Sequence, residues 1–152
     1  MTTSQMVKPI EVLLVEDNPG DVRLTREALK EGKLLINLSV ASDGLEAMAF
    51  LRREGAFAQA PNPDLILLDL NLPKKDGREL LQEIKVDPEL KRIPVVILTT
   101  SEADADILET YGNHANCYLT KPVDMGQFLE IVKILEEFWL TIVKLPSHVE
   151  AR

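Results

Sequence analysis

Five short apolar runs alternate with helix-like segments along this chain, and this alternation constrains the fold more than any other feature. The runs are rich in β-branched residues and lie at residues 12–15, 36–41, 65–68, 95–98 and 117–119. Strands that alternate with helices build βαβ units around a parallel sheet. The first, third and fourth runs are apolar at consecutive positions, which predicts central strands that helices cover on both faces.

Helices are predicted between and after these strands, at residues 21–31, 45–54, 78–86, 103–111 and 124–143. The segment 55–63 contains Pro61 and Pro63, which stop a helix and favour an extended chain, so we interpret it as a connecting loop. A chain of 152 residues is long enough for one ordinary domain and short for two. We therefore expect an α/β protein that forms a single domain over residues 1–152, with no separate output domain.

The composition excludes several classes of function. The chain has 25 acidic and 17 basic residues and a net charge of -8, which disfavours binding to nucleic acid. One cysteine allows no internal disulfide, and the N-terminus lacks the apolar run of a secretory signal. Charges interrupt every apolar stretch before it reaches the roughly 20 residues that a membrane span needs. We expect a cytoplasmic protein with neither nucleic-acid nor membrane partners.

Three acidic residues follow predicted central strands. Glu16 and Asp17 come directly after the first apolar run, and Asp69 follows the third. The carboxyl ends of parallel strands form the sheet edge where ligands bind, and like charges there need a cation. Oxygen ligands without Cys or His favour Mg²⁺. Any one of these acids alone is better explained as a solvated residue, but three at neighbouring strand ends are not.

Two further strand ends supply a hydroxyl and an ammonium group. Thr99 follows the fourth run, and Lys121 follows the fifth. An aspartyl phosphate requires a nucleophilic carboxylate, a metal ion and groups that hold the phosphoryl oxygens during transfer. Asp69 fits the nucleophile, and Lys121 and Thr99 fit the phosphoryl-binding groups. Taken singly, Lys121 is equally explained as a surface lysine and Thr99 as a helix cap.

Together these motifs resemble the receiver domains of two-component response regulators. The matching segments are Val-Glu-Asp-Asn (15–18), Leu-Leu-Asp-Leu-Asn-Leu-Pro-Lys-Lys-Asp-Gly (67–77), Ile-Leu-Thr-Thr-Ser (97–101) and Tyr-Leu-Thr-Lys-Pro (118–122). Within the family, the segments 69–77, 92–96 and 116–121 and the tail that begins Phe138-Trp139 look most like cyanobacterial phytochrome response regulators. The resemblance implies a flavodoxin-like, doubly wound (βα)5 fold whose five-stranded parallel sheet has the order 2-1-3-4-5.

The resemblance also implies a phosphoacceptor and a metal site. Asp69 would accept a phosphoryl group from a histidine kinase of the phytochrome type. Glu16, Asp17, Asp69 and the carbonyl of Asn71 would bind Mg²⁺. Asp is more usual in the family at the position of Glu16, but Glu still supplies a carboxylate, through water to the metal.

A switch is implied by the same resemblance. Thr99 and Tyr118 would form the switch pair, and Lys121 would contact the phosphoryl group, with a cis peptide bond before Pro122. Movement of Thr99 toward the phosphoryl oxygens would let the Tyr118 ring turn inward and change a distant protein-binding surface. The downstream protein that reads this surface is not identified by the sequence.

Two other functions compete with this interpretation. A phosphatase of the haloacid dehalogenase type needs a second Asp two residues after the nucleophile, where this chain has Asn71. We therefore expect a signalling phosphoacceptor rather than an enzyme, with at most slow self-phosphorylation and self-dephosphorylation. The alternative is a pseudo-receiver, a protein-interaction adaptor that works without phosphorylation. It predicts the loss of one or more of Asp69, Thr99 and Lys121, and none is lost.

The last predicted helix carries more apolar surface than packing on one sheet requires. A stripe of about 100° suffices for a surface helix, and this helix exceeds it. We predict a homodimer through the face formed by the fourth predicted helix, the fifth strand and the fifth predicted helix, including Phe138 and Trp139. The apolar arc consists of Phe128, Ile131, Val132, Leu135, Phe138, Trp139, Ile142 and Val143.

Overall fold

A computed structural model describes residues 9–30, 35–70, 72, 74–99 and 117–138. Its strands are β1 (Ile10–Val15), β2 (Ile36–Ala41), β3 (Leu65–Asp69), β4 (Val95–Thr99) and β5 (Cys117–Thr120). They form one parallel sheet in the order β2-β1-β3-β4-β5. This confirms the predicted flavodoxin-like strand order.

The helices flank this sheet, and their bounds are α1 (Pro19–Lys30), α2 (Gly44–Leu51), α3 (Gly77–Val86) and α4 (Met125–Phe138). The predicted helix 45–54 is wrong at its end, because Arg53 adopts a positive φ of 56° and the helix stops at Leu51. One 3₁₀ turn, Gly55–Phe57, lies within the predicted loop. The predicted helix 103–111 lies outside the described residues, as does the part of the predicted last helix beyond 138.

The innermost strands are buried on both faces. Every residue of β3 and β4 is buried, and so are the last four residues of β1. Successive side chains of a strand point to opposite faces, so the consecutive apolar residues fill two separate layers. One layer packs the sheet against α2 and α3, and the other packs it against α1 and α4. The prediction that strands one, three and four lie innermost is confirmed.

The strand register brings the ends of four strands to one edge of the sheet. Val15 pairs with Leu68, which places Glu16 beside Asp69 on the neighbouring strand. Thr99 pairs with Thr120, and the Lys121 amide donates a hydrogen bond of 2.8 Å to the Thr99 carbonyl oxygen. Within the described ranges, no helix is long and apolar enough to cross a membrane.

Candidate functional site

Three carboxylates converge at this edge of the sheet. One oxygen atom each from Glu16, Asp17 and Asp69 lies within 4.8 Å of the others. Glu16 and Asp69 are buried at the ends of β1 and β3, whereas Asp17 is exposed. They open onto a pocket of about 220 Å³, which is lined by Glu16, Asp17, Asn18, Asp21, Asp69, Leu70, Leu98, Thr99 and Lys121.

Lys121 neutralises part of this negative charge. Its Nζ atom lies 2.7 Å from Glu16 Oε1, 3.1 Å from Asp21 Oδ2 and 3.2 Å from Asp69 Oδ2. Three carboxylate oxygens match the three hydrogens that an ammonium group donates. Burial lowers the pKa of the Lys121 ammonium, but its hydrogen bonds to Glu16 and Asp21 outweigh burial and hold that pKa above its usual value. Lys121 therefore keeps its positive charge. The peptide bond between Lys121 and Pro122 is cis, as predicted.

Glu16 lies at the bottom of the pocket, with a side chain that is only 1% exposed. Its Oε2 atom accepts a hydrogen bond of 3.2 Å from the Asn18 amide, while Oε1 faces Lys121. Burial raises the pKa of the Glu16 carboxyl to about 7; Lys121 opposes the rise, and the nearby Asp69 carboxylate adds to it. A carboxyl whose ionised form is disfavoured in this way gains from any additional positive charge placed beside it.

The residues present fit a hard divalent cation. The converging ligand atoms are all carboxylate oxygens, and no Cys or His belongs to the cluster that the described residues form. Oxygen-only sites at the mouth of an α/β sheet suit Mg²⁺, which binds through one or two carboxylates and keeps several waters. The exposed Asp17 leaves room for such waters. Asn71, the predicted carbonyl ligand, lies outside the described residues.

Thr99 and Tyr118 occupy neighbouring strands. Thr99 ends β4, is 4% exposed and lines the pocket. Tyr118 lies on β5 opposite Ile97 and packs, partly buried, against the apolar layer below α2 and α3. Thr99 therefore borders the pocket, whereas Tyr118 borders the core. Trp139 and the side chain of Phe138, which belong to the predicted dimer face, lie outside the described part of the chain.

Sequence reasoning missed Asp21, although a signal for its position exists. Asn18 is followed by Pro19, and Asn is a favoured N-cap while Pro is favoured at the first helical position. The Asn18 Oδ1 atom accepts a hydrogen bond of 3.0 Å from the Asp21 amide, so α1 begins at Pro19 rather than at Asp21 as predicted. This early start puts the Asp21 side chain in the pocket, next to Lys121.

The loop after β3 is held by close backbone contacts. The Gly77 amide donates a hydrogen bond of 3.0 Å to the Leu70 carbonyl oxygen. A Cβ atom at Gly77 would lie 2.6 Å from the Asp69 carbonyl oxygen, and one at Gly44 would lie 2.5 Å from the Lys75 carbonyl oxygen. Only residues without a side chain fit at these two positions. The glycine that ends the motif at residues 67–77 is therefore explained by close backbone packing.

Comparison with known proteins gives consistent matches. The family model for the response regulator receiver domain matches residues 12–133. Response regulator Rcp1 of Synechocystis sp. is 52% identical over 139 residues, which cover 91% of this chain and 95% of Rcp1.

Two solved structures show the same likeness. The structure of the phosphorylated cyanobacterial phytochrome response regulator RcpA matches with a TM-score of 0.70 at 56% identity, covering 88% of this chain and 95% of RcpA. The Mn²⁺-bound form of Rcp1 matches with a TM-score of 0.68 at 51% identity, covering 88% of this chain and 96% of that one.

Proposed function

Because this chain belongs to the response regulator receiver domain family, we propose that it is a signalling switch in which Asp69 accepts a phosphoryl group from a histidine kinase. The observation that carries the proposal is the placement of Lys121 Nζ 3.2 Å from Asp69 Oδ2, beside two further carboxylates. The name of the similar protein RcpA, a cyanobacterial phytochrome response regulator, supports a phytochrome-type kinase as the donor.

In the proposed reaction, a carboxylate oxygen of Asp69 attacks the phosphorus atom of the donor. A P–O bond to Asp69 forms while the P–N bond to the kinase histidine breaks, and the imidazole leaves with its electron pair. The Lys121 ammonium and the Thr99 hydroxyl donate hydrogen bonds to the phosphoryl oxygens as negative charge develops on them. The chain thus supplies positioning and electrostatic stabilisation.

The metal in this proposal is Mg²⁺, held by Glu16, Asp17 and Asp69, with the Asn71 carbonyl as a further ligand. When bound, it neutralises charge on the phosphoryl oxygens and on the three carboxylates. The existence of a Mn²⁺-bound form of the similar protein Rcp1 supports the binding of a divalent ion by this chain. Slow self-dephosphorylation is expected, because no second Asp stands two residues after Asp69 to act as a general acid.

The proposed output is a change in a protein-binding surface. Thr99 would move toward the phosphoryl group, and the partly buried Tyr118 ring would turn into the space that it leaves. We also propose a homodimer whose interface includes α4. Two apolar side chains on this helix support the proposal because they lie outside the core: Leu129 is 37% and Ile134 59% exposed. Sedimentation with and without beryllofluoride tests it, and a monomer in both states would refute it.

The acceptor is tested by labelling the full chain with a phosphorylated histidine kinase or with acetyl phosphate. Asp69→Asn should abolish labelling, and so should removal of Mg²⁺ by a chelator. Asp64→Asn is a matched control, because Asp64 is exposed and precedes the amino end of the same strand. Stoichiometric labelling of Asp69→Asn would refute the assignment. Absence of labelling in the wild-type chain would favour a phosphorylation-independent pseudo-receiver.

A further inference from the structure

Lys121 contacts the carboxylate of Asp21, a residue that the sequence analysis did not assign to the site. Asp21 lies in the first turn of α1, and its Oδ2 atom is 3.1 Å from Lys121 Nζ across 100 residues of sequence. Its side chain is 36% exposed, against 1% for Glu16 and 9% for Asp69. Asp21 is therefore the outermost of the three carboxylates that hold the lysine.

An acidic residue in the first turn of a helix has a structural explanation, since it interacts favourably with the helix dipole. That explanation does not require the contact with Lys121 or a position in the pocket wall. Asn18 Oδ1 already accepts the Asp21 amide and caps the helix, which leaves the Asp21 carboxylate available to the lysine. The geometry therefore assigns Asp21 to the electrostatics of the pocket as well as to the helix.

Arrival of a phosphoryl group changes the competition for Lys121. The ammonium has three hydrogens, and three carboxylate oxygens already lie within 3.2 Å of it. The Glu16 contact is the shortest and most buried, so breaking it would strand a charge away from water. A released Asp21 carboxylate would be rehydrated, because its side chain is partly exposed to water. Its ion pair with Lys121 is also weak for the same reason. Asp21 is thus the partner that Lys121 gives up most easily.

We propose that Asp21 is a positioning residue that holds Lys121 before phosphorylation and competes with the phosphoryl oxygens for its ammonium group. This proposal rests on the proposed function, in which Asp69 is the phosphoacceptor. The negative charge of Asp21 at the pocket mouth also repels an anionic phosphodonor. Competition for Lys121 and repulsion of the phosphodonor both slow phosphorylation. Removal of the Asp21 charge therefore accelerates phosphorylation and leaves the acceptor Asp69 intact.

The test compares the phosphorylation rates of full-length variants with acetyl phosphate and saturating Mg²⁺, followed by phosphate-affinity electrophoresis. Asp21→Asn should react roughly three- to tenfold faster than wild type at low ionic strength, and the advantage should shrink as salt screens the charge. Asp21→Glu, which keeps the charge, should stay close to wild type. Glu27→Gln removes one charge from an exposed position of the same helix and should also stay close to wild type.

The outcomes separate this proposal from the one it rests on. An Asp21→Asn rate at or below that of Glu27→Gln, or an acceleration that salt does not reduce, overturns the role of Asp21. Failure of the wild-type chain to be labelled overturns the proposed function, since Asp21 is not required for labelling. Asp21→Ser provides a second neutral variant, and thermal melting verifies that each variant is folded before its rate is compared.

Discussion

Two different kinds of surroundings meet at Asp69. One is a group of charged side chains that form ion pairs, and the other is a loop that packs so closely that no Cβ atom fits at Gly44 or Gly77. We refer to Glu16, Asp17, Asp21 and Lys121 as the charged wall. The loop wall comprises the described residues after β3 up to Gly77, which are 70, 72 and 74–77, together with the start of α2 at Asp43 and Gly44. Both walls meet at Asp69, the charged wall at its carboxylate and the loop wall at its backbone carbonyl, but different forces position them.

The difference predicts how each wall responds to mutation. Lys121 lies 2.7 and 3.1 Å from its partners Glu16 and Asp21 in the charged wall and 3.2 Å from Asp69. Neutral substitutions that keep the shape of these side chains change the local potential more than the packing. In the loop wall, a Cβ atom added at Gly44 would lie 2.5 Å from the Lys75 carbonyl oxygen, and one added at Gly77 would lie 2.6 Å from that of Asp69, so relief of the overlap at Gly77 would shift Asp69. We expect the charged wall to govern rate and the loop wall to govern rate and stability together.

The largest expected effect comes from Lys121→Ala. This substitution removes the cation that contacts Glu16 and Asp69, and phosphorylation by acetyl phosphate should slow on the order of 10²- to 10³-fold. Mg²⁺ binding should persist, because the three carboxylates remain. Lys133→Ala, at an exposed position of α4, is the matched control. If Lys121→Ala is phosphorylated at a rate within twofold of that of the control, Lys121 does not contribute to the phosphorylation reaction.

Gly77→Ala should lower the free energy of unfolding by about 1–3 kcal/mol, the usual cost of overpacking. The new Cβ atom would lie 2.6 Å from the Asp69 carbonyl oxygen and 2.7 Å from that of Leu70. Because relief of this overlap moves Asp69, the phosphorylation rate should fall with stability. Both quantities are measurable on one sample, by urea denaturation and by labelling.

Gly126→Ala is the control for this prediction. Gly126 lies in the first turn of α4, and among the described residues a Cβ atom there would meet only the end of the Asp124 side chain, at 3.1 Å. Alanine is favoured over glycine in helices, so the stability should change by no more than about 1 kcal/mol, in the stabilising direction. Equal destabilisation by both alanines would show that the loop wall is not specially packed.

How far the sequence predicts these features depends on whether they are local. Consecutive apolar residues mark buried strands, and the innermost positions of strands one, three and four are confirmed for that reason. The end of α2 was missed because the positive φ of Arg53 has no signature in its side chain. The contact between Asp21 and Lys121 was missed because Asp21 does not end a strand and lies in a helix whose start was predicted two residues too late.

The candidate site follows the same rule. Glu16, Asp69 and Lys121 come together because each ends a strand, and the ends of parallel strands meet at one edge. Their roles in phosphate transfer, and those of Thr99 and Tyr118, remain predictions, as does the dimer. The role of Gly77 as a close-packed position depends on the distance between two backbone segments, which only the folded chain shows.

A smaller effect is expected from Mg²⁺ itself. If Glu16, Asp17 and Asp69 bind it only in the folded state, a concentration ten times the Kd should add about 1.4 kcal/mol to the free energy of unfolding. Thermal melting with increasing Mg²⁺ measures this gain, and Asp17→Asn should reduce it. Asp124→Asn, at the start of α4, should keep it. Identical melting with and without Mg²⁺ would argue against the metal site.

The smallest expected effect concerns Asp43 in the loop wall. Asp43 is the N-cap of α2, and its Oδ1 atom accepts a hydrogen bond of 2.8 Å from the Glu46 amide. Its Oδ2 atom lies 3.5 Å from Lys74 Nζ, on the loop after β3. The Glu46 amide, and to a smaller degree Lys74, lower the pKa of the Asp43 carboxyl, although burial opposes the shift.

Because the folded-state pKa of Asp43 is lowered, its stabilising contribution is present above the pKa of an unfolded aspartate and is lost as pH falls through the lower value. Asp43→Ala should therefore cost about 1 kcal/mol at neutral pH, and the difference from wild type should shrink in acid below about pH 4. Asp43→Asn keeps the cap acceptor without the charge and should cost less. Denaturation at pH 7 and pH 3 measures both. A cost for Asp43→Ala that stays constant between these pH values would show that the carboxylate charge does not stabilise the loop wall, and backbone packing at Gly44 and Gly77 would then be sufficient to hold it.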